Sequence, residues 1–162
     1  MFIVHKYMFL KKQNKIVSKI YQNIVNISRS KYFYLDLNLD DSFETRFDLL
    51  IFHTFIIFYY YRQSKKQKSQ ISQDLFDLMF NDFENNLREM GFGDIAVNKK
   101  MKNFISACYG RIAQYSKGIQ KFEENGDKSL IRAAILNNIY KGSEVYDDLI
   151  NLFVEYMIKN IE

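Results

Sequence analysis

Few side chains in this sequence could do covalent chemistry: two histidines, His5 and His53, and one cysteine, Cys108. A catalyst needs a nucleophile beside a base, carboxylates in contrasting environments, or a metal cage. His5 lies near the N-terminus. His53 sits inside an apolar stretch, the setting of a core histidine with a satisfied hydrogen bond and not of a general base. Cys108 falls on the apolar side of a helical pattern, where a thiol is inert, and a lone cysteine fits a reducing compartment. No Cys/His spacing suits zinc. Asp77, Asp82 and Glu84 do not share one helix face and no Glu-x-x-His is present, so a di-metal site is not expected. Gly91-Phe92-Gly93 lacks the third glycine of a dinucleotide fingerprint and reads as a helix cap with a tight turn. The expectation is a protein that is not an enzyme, takes no metal and no cofactor, and works by binding.

The elements that carry these residues read as helices. Ile16, Ile20, Ile24 and Ile27 recur at helical spacing over residues 9–28, with Val17 and Tyr21 beside them and Lys12, Lys15, Lys19 and Asn23 opposite. Residues 30–39 show no helical face and read as a connector crossing the surface. Asp41 followed by Glu44 matches a capping box before an apolar run. The helix it opens, over 42–63, carries Phe47, Leu50, Ile51, Thr54, Phe55 and Phe58 on one stripe. From Leu49 onward it is apolar nearly all round, which marks a central core helix. Its most apolar run, 49–61, is shorter than the roughly 20 residues a membrane span needs. A solvated loop is expected at 64–72. A helix over 73–90 follows, with Phe76, Met79, Phe80, Phe83, Leu87 and Met90 inward and Asp77, Asp82 and Glu84 outward. Gly91 closes it. A long helix over 98–122 steps from Met101 through Phe104, Ile105, Cys108, Ile112, Tyr115 and Ile119 to Phe122. Two more are expected at 129–140 and 144–160, the last capped by Ser143. No alternating strand pattern competes. The fold class is all-α, a single compact bundle of five to six helices, with residues 1–30 a basic helix and arm and 31–162 the helical body.

Charge is uneven: +7 over residues 1–68 and −3 over 69–162. The basic part leans toward an anionic surface such as RNA or a membrane leaflet, against the plain reading of a solubilising end. Lys99, Lys100 and Lys102 fall in the first turn of the long helix, where the dipole disfavours cations by about 0.3–1 kcal/mol each. They read as a solvated face or as contacts to an anionic partner. The short apolar start precedes the basic cluster, the reverse of a secretory signal, so a cytoplasmic protein is expected. Met8 opens a cleaner helical pattern than Met1 and is a second candidate start.

Leu87-Arg88-Glu89-Met90-Gly91-Phe92-Gly93-Asp94, then Lys99-Lys100 and Tyr109-Gly110-Arg111, resembles the ubiquinol–cytochrome c chaperone family, whose pattern is a "LREMGxGD" turn, a basic helix start and "YGR" about fifteen residues on. Phe76-Asp77 leads into it. Arg46-Phe47-Asp48-Leu49 through His53 is similar to an upstream family segment, with Thr45 where glycine is usual, and Cys108 stands where phenylalanine is usual. The likeness covers about residues 30–119. It implies an assembly chaperone for newly made cytochrome b, acting near the ribosome and pairing with a small partner protein, with no DNA and at most peripheral contact with the inner membrane. An RNA- or ribosome-binding module working through the basic first helix is the alternative. Without the long targeting extension and membrane anchor of mitochondrial members in this sequence, a bacterial, cytoplasmic member of the family is expected.

An apolar client calls for an apolar groove, and 15 Phe with 12 Tyr exceed what a core of this size needs. The expected groove lies on Phe55, Phe58, Tyr59 and Tyr61 of the central helix and Tyr32, Phe33 and Tyr34 of the connector, bordered by cations. Arg88, Asp94 and Arg111 are expected to cluster where the motif helices meet. Together with Glu89, Lys99, Lys100 and Tyr109 they are the candidate client contacts. Phe47, Asp48, His53, Leu87, Met90, Gly91, Gly93 and Gly110 are the motif's structural positions, with Gly110 admitting another element at close range.

Overall fold

In the computed structural model, six α-helices and one π-turn make up the described chain: α1 (Phe2–Ser28), the π-turn (Tyr32–Asp36), α2 (Phe43–Tyr61), α3 (Lys66–Glu89), α4 (Asp94–Asn125), α5 (Ser129–Asn138) and α6 (Asp147–Ile161). The described backbone spans residues 2–62 and 66–161, and the described side chains 15–62 and 70–161. His5, the start at Met8, Lys11, Lys12, Lys65, Lys66 and Lys68 fall outside the described side chains. The all-α bundle expected from periodicity is the fold, with no strand among the described residues.

The apolar circumference of α2 has a structural cause: two hydrophobic cores lie on opposite sides of it. Leu49, Phe52, Phe55 and Ile56 enter one core with the π-turn, the second half of α4, α5 and α6. Phe47 and Ile51 enter the other with α1, α3 and Cys108 of α4. A helix buried on both sides cannot keep a polar stripe.

Several local expectations are corrected. The buried seam of α1 is Val17, Tyr21, Ile24 and Ser28, while Ile16 and Ile27 face solvent; both sets have helical spacing, and the position of α3 selects between them. The connector does not cross the surface. Phe33, Leu37 and Leu39 are buried in the first core, because the π-turn swings the chain inward. The cap of α2 is Ser42, whose hydroxyl accepts the Thr45 N–H; Asp41 instead holds Arg46 by two hydrogen bonds of 2.7 and 2.9 Å. α3 begins at Lys66, well before residue 73, within the stretch read as a loop. α4 begins at Asp94, so Lys99, Lys100 and Lys102 stand beyond the first turn and the acidic Asp94 occupies it, as the dipole favours. α6 starts at Asp147 and Ser143 does not cap it.

Two glycines are required by the geometry. Gly91 has φ +86°; its N–H donates to the Arg88 carbonyl, and the Phe92 N–H to the Leu87 carbonyl, closing α3 with a Schellman turn that an L side chain resists. Gly118 lies where α4 crosses α5: a Cβ there would stand 2.9 Å from Ile131 Cγ1 and 3.0 Å from the Ile131 backbone nitrogen. Gly110, expected to admit a close neighbour, is exposed with nothing near its would-be Cβ. Gly93 has φ −73°, open to any residue.

Candidate binding cleft

The polar groups of the family-like segments are distributed over two places. On the outside of the α3–α4 turn, Arg88 pairs with Glu84 at 2.8 Å and with Asp94. All three are exposed enough that this pairing fixes the turn more than it stabilises the fold. Arg111 is not part of that cluster. One α4 stretch further on it reaches inward, its Nε 2.6 Å from Asp48 Oδ1, with its guanidinium 5.6 Å from the centre of the Phe47 ring. Asp48 is fully buried and also meets Lys141 Nζ. Burial draws the Arg111 and Lys141 pKa values down, since each cation has given up water. Asp48 therefore links α2, α4 and the turn after α5 through one carboxylate. The backbone supports this, because Lys141 and Gly142 both have positive φ, turning the chain so that the lysine faces Asp48.

His53 is a core residue, as its setting predicts. Its Nδ1 donates to the Leu49 carbonyl at 2.7 Å and lies 3.1 Å from Ser28 Oγ. That leaves Nε2 to accept from the Tyr156 hydroxyl at 3.1 Å, which fixes the neutral tautomer. Burial depresses its pKa to about 4. The His53–Ser28 pair thus resembles a nucleophile and base only in composition; it joins the end of α1 to α2 and α6. Burial likewise pushes the Cys108 thiol up to about 12, far from a reactive thiolate. Among the described residues, no group of three His, Cys, Asp or Glu side chains is placed to hold a metal ion.

The aromatics expected to line a groove are covered in part. Phe33 and Phe55 are core residues, 1% and 2% exposed, and out of reach of a partner. Tyr32, Phe58 and Tyr59 are half-buried against the cores. Tyr59 is further tied to Glu123 and lies under Arg62, whose guanidinium is 3.5 Å from the ring centre. A cleft of about 310 Å³ with an apolar floor of Val25, Phe47, Leu50 and Phe83 lies between α1, α2 and α3. Its mouth carries Phe43 and Met90, the latter 61% exposed. Of the sequence candidates, Phe47, Glu89 and Met90 line it; Tyr109, Lys99 and Lys100 do not. Tyr109 is exposed on α4 against Phe76, and Lys100 lies over the Phe92 ring, its Nζ 4.6 Å from the centre. Leu50 stood on the expected apolar stripe of α2, whereas Val25 and Arg29 escaped the sequence reading. Their signal was weak: single apolar or basic positions on the flanks of helices whose stripes pointed elsewhere.

No helix among the described residues is long and apolar enough to cross a membrane. No curated protein matches the sequence. Among solved structures, the crystal structure of the Cbp3 homolog from Brucella abortus is similar, with a TM-score of 0.80 and 26% identity over 99% of this chain and 88% of that one. The family model described as ubiquinol-cytochrome C chaperone matches residues 35–162, beyond the 30–119 of the motif likeness and on through α5 and α6. With helices α2 to α6, the α3–α4 turn and the Asp48–Arg111 pair all inside that match, the chain belongs to the ubiquinol–cytochrome c chaperone family.

Proposed function

We propose that this protein is an assembly chaperone that binds newly made cytochrome b for the ubiquinol–cytochrome c reductase complex, by contact alone and without catalysis. Family membership over most of the chain is the observation that carries this reading. The site supports it in kind. The histidine and cysteine described are buried and neutral, whereas the open feature is an apolar cleft of a size that admits a few side chains. The protein acts in the cytoplasm, at most peripheral to the inner membrane, where a membrane-destined client emerges.

Deleting the gene and recording the haem b spectrum together with cytochrome b abundance tests the proposal. Loss of both, restored by the wild-type gene, is the expected result. Normal cytochrome b in the deletion strain would refute it. The RNA-binding alternative draws no support from the family or the fold match.

A further inference from the structure

The α1–α2–α3 cleft does not end at its apolar floor. At one end it adjoins a second hollow of about 500 Å³, lined by Lys31, Tyr34, Leu35 and Asp41, and the two share Arg29 and Arg46. Leu35 is 74% exposed there. Arg46 is held by Asp41, but Arg29 and Lys31 are exposed and have no ion-pair partner among the described residues. The opposite wall, on α3, carries Asp82, Asn86 and Glu89. Asp82 accepts from the Tyr21 hydroxyl at 2.7 Å, while Glu89 is exposed without an ion-pair partner among the described residues. The channel thus has an apolar floor, free cations at one end and acceptor groups along its α3 wall.

We propose that this channel binds a peptide segment of the client: apolar side chains in the α1–α2–α3 cleft, a carboxylate at the Arg29–Lys31 end, and backbone N–H groups toward Asn86 and Glu89. This rests on the chaperone reading and gives it a site and a polarity. Charge complementarity selects the occupant. A carboxylate gains charge-assisted hydrogen bonds from two unpaired cations. A phospholipid would find the same cations, but its acyl chain would bury Asn86 and Glu89 without offering them a donor, an unfavourable desolvation. A peptide backbone supplies those donors. The exposed Leu35, Phe43 and Met90 along the rim extend the apolar contact beyond the cleft.

The test uses the full chain with a fluorescein-labelled peptide of leucines and phenylalanines ending in two glutamates. A matched peptide ends in two lysines, and phosphatidylglycerol vesicles form a separate arm. Anisotropy should show the glutamate peptide binding, with affinity about tenfold weaker for the lysine peptide and for Arg29→Glu or Lys31→Glu, the scale of one lost charge-assisted hydrogen bond. Both residues are exposed, so these variants fold, which circular dichroism checks. Equal affinity of wild type and both variants, or binding of vesicles with no binding of peptide, overturns the proposal. Capture of newly made cytochrome b by the same proteins separates the two readings. If both variants capture it as well as wild type, the channel is wrong and the chaperone function stands. If wild type captures none while the peptide arm behaves as expected, the channel stands and its client is another protein.

Discussion

Replacing Asp48 by asparagine removes the anion that Arg111 and Lys141 share. Breaking a buried ion pair from one side typically costs about 3–5 kcal/mol, because an uncompensated charge is left behind. The structure places this case near the lower end. Asp48 itself is fully buried, but Lys141 is 45% exposed and can turn to water, and Arg111 keeps the Ala107 carbonyl at 3.2 Å. About 3 kcal/mol is therefore expected, which for a chain of this length lowers Tm by about 6–12 °C. Urea unfolding followed by circular dichroism measures the loss directly. The companion variant Asp48→Leu/Arg111→Met removes both charges and should recover most of the stability, since apolar replacements of buried pairs are often neutral. Lys141 then swings to solvent. A change under about 0.5 kcal/mol in Asp48→Asn, or a double variant no better than the single, would show that the ion pair does not hold these helices.

Three further outcomes follow from the geometry. Gly118→Ala should destabilise by about 1–3 kcal/mol despite alanine's better helix propensity, because the new Cβ meets Ile131 backbone as well as side chain; thermal melts would show it, and a rise in Tm would refute the close crossing. Gly91→Ala places a Cβ at φ +86° and should cost about 1 kcal/mol in urea unfolding, whereas Gly93→Ala should cost less. His53 is neutral in the fold with its pKa lowered to about 4, so the unfolded chain binds the extra proton first as pH falls. Its contribution is whole above about pH 6.5 and fades by roughly 1.4 kcal/mol per unit down to about pH 4. Urea titrations at several pH values should show this slope in wild type and lose it in His53→Gln; an equal slope in both would refute the assignment.

Helix number, the glycine cap at Gly91 and the core placement of His53 and Cys108 were legible because they depend on local rules. Periodicity reports which residues can share a face, and a Leu-Arg-Glu-Met-Gly run ends a helix wherever it lies. The family likeness was legible for the same reason, as an ordered set of short motifs. The cores of α3 and α4 also followed the pattern, with Leu87, Cys108, Tyr115 and Ile119 all buried, except that Met90, expected inward, is 61% exposed where α3 ends.

What the sequence alone determined is therefore an all-helical chain with an apolar α2, a terminated α3 and a buried, inert His53 and Cys108. Tertiary structure decided the rest, since it turns on which of several equivalent faces meets a neighbour. Val17 and Ile16 both fit the period of α1, and only the position of α3 buries the first and exposes the second. Arg88 and Arg111 looked like partners in the motif. Yet Arg111 turns inward to Asp48, distant in sequence, because a buried carboxylate needs a cation more than an exposed turn does. Phe33 of the connector vanishes into the core at the π-turn, while Tyr32 and Tyr34 beside it stay half-buried. The cleft itself draws its lining from three helices, around Phe47 and Leu50, an arrangement no local pattern encodes.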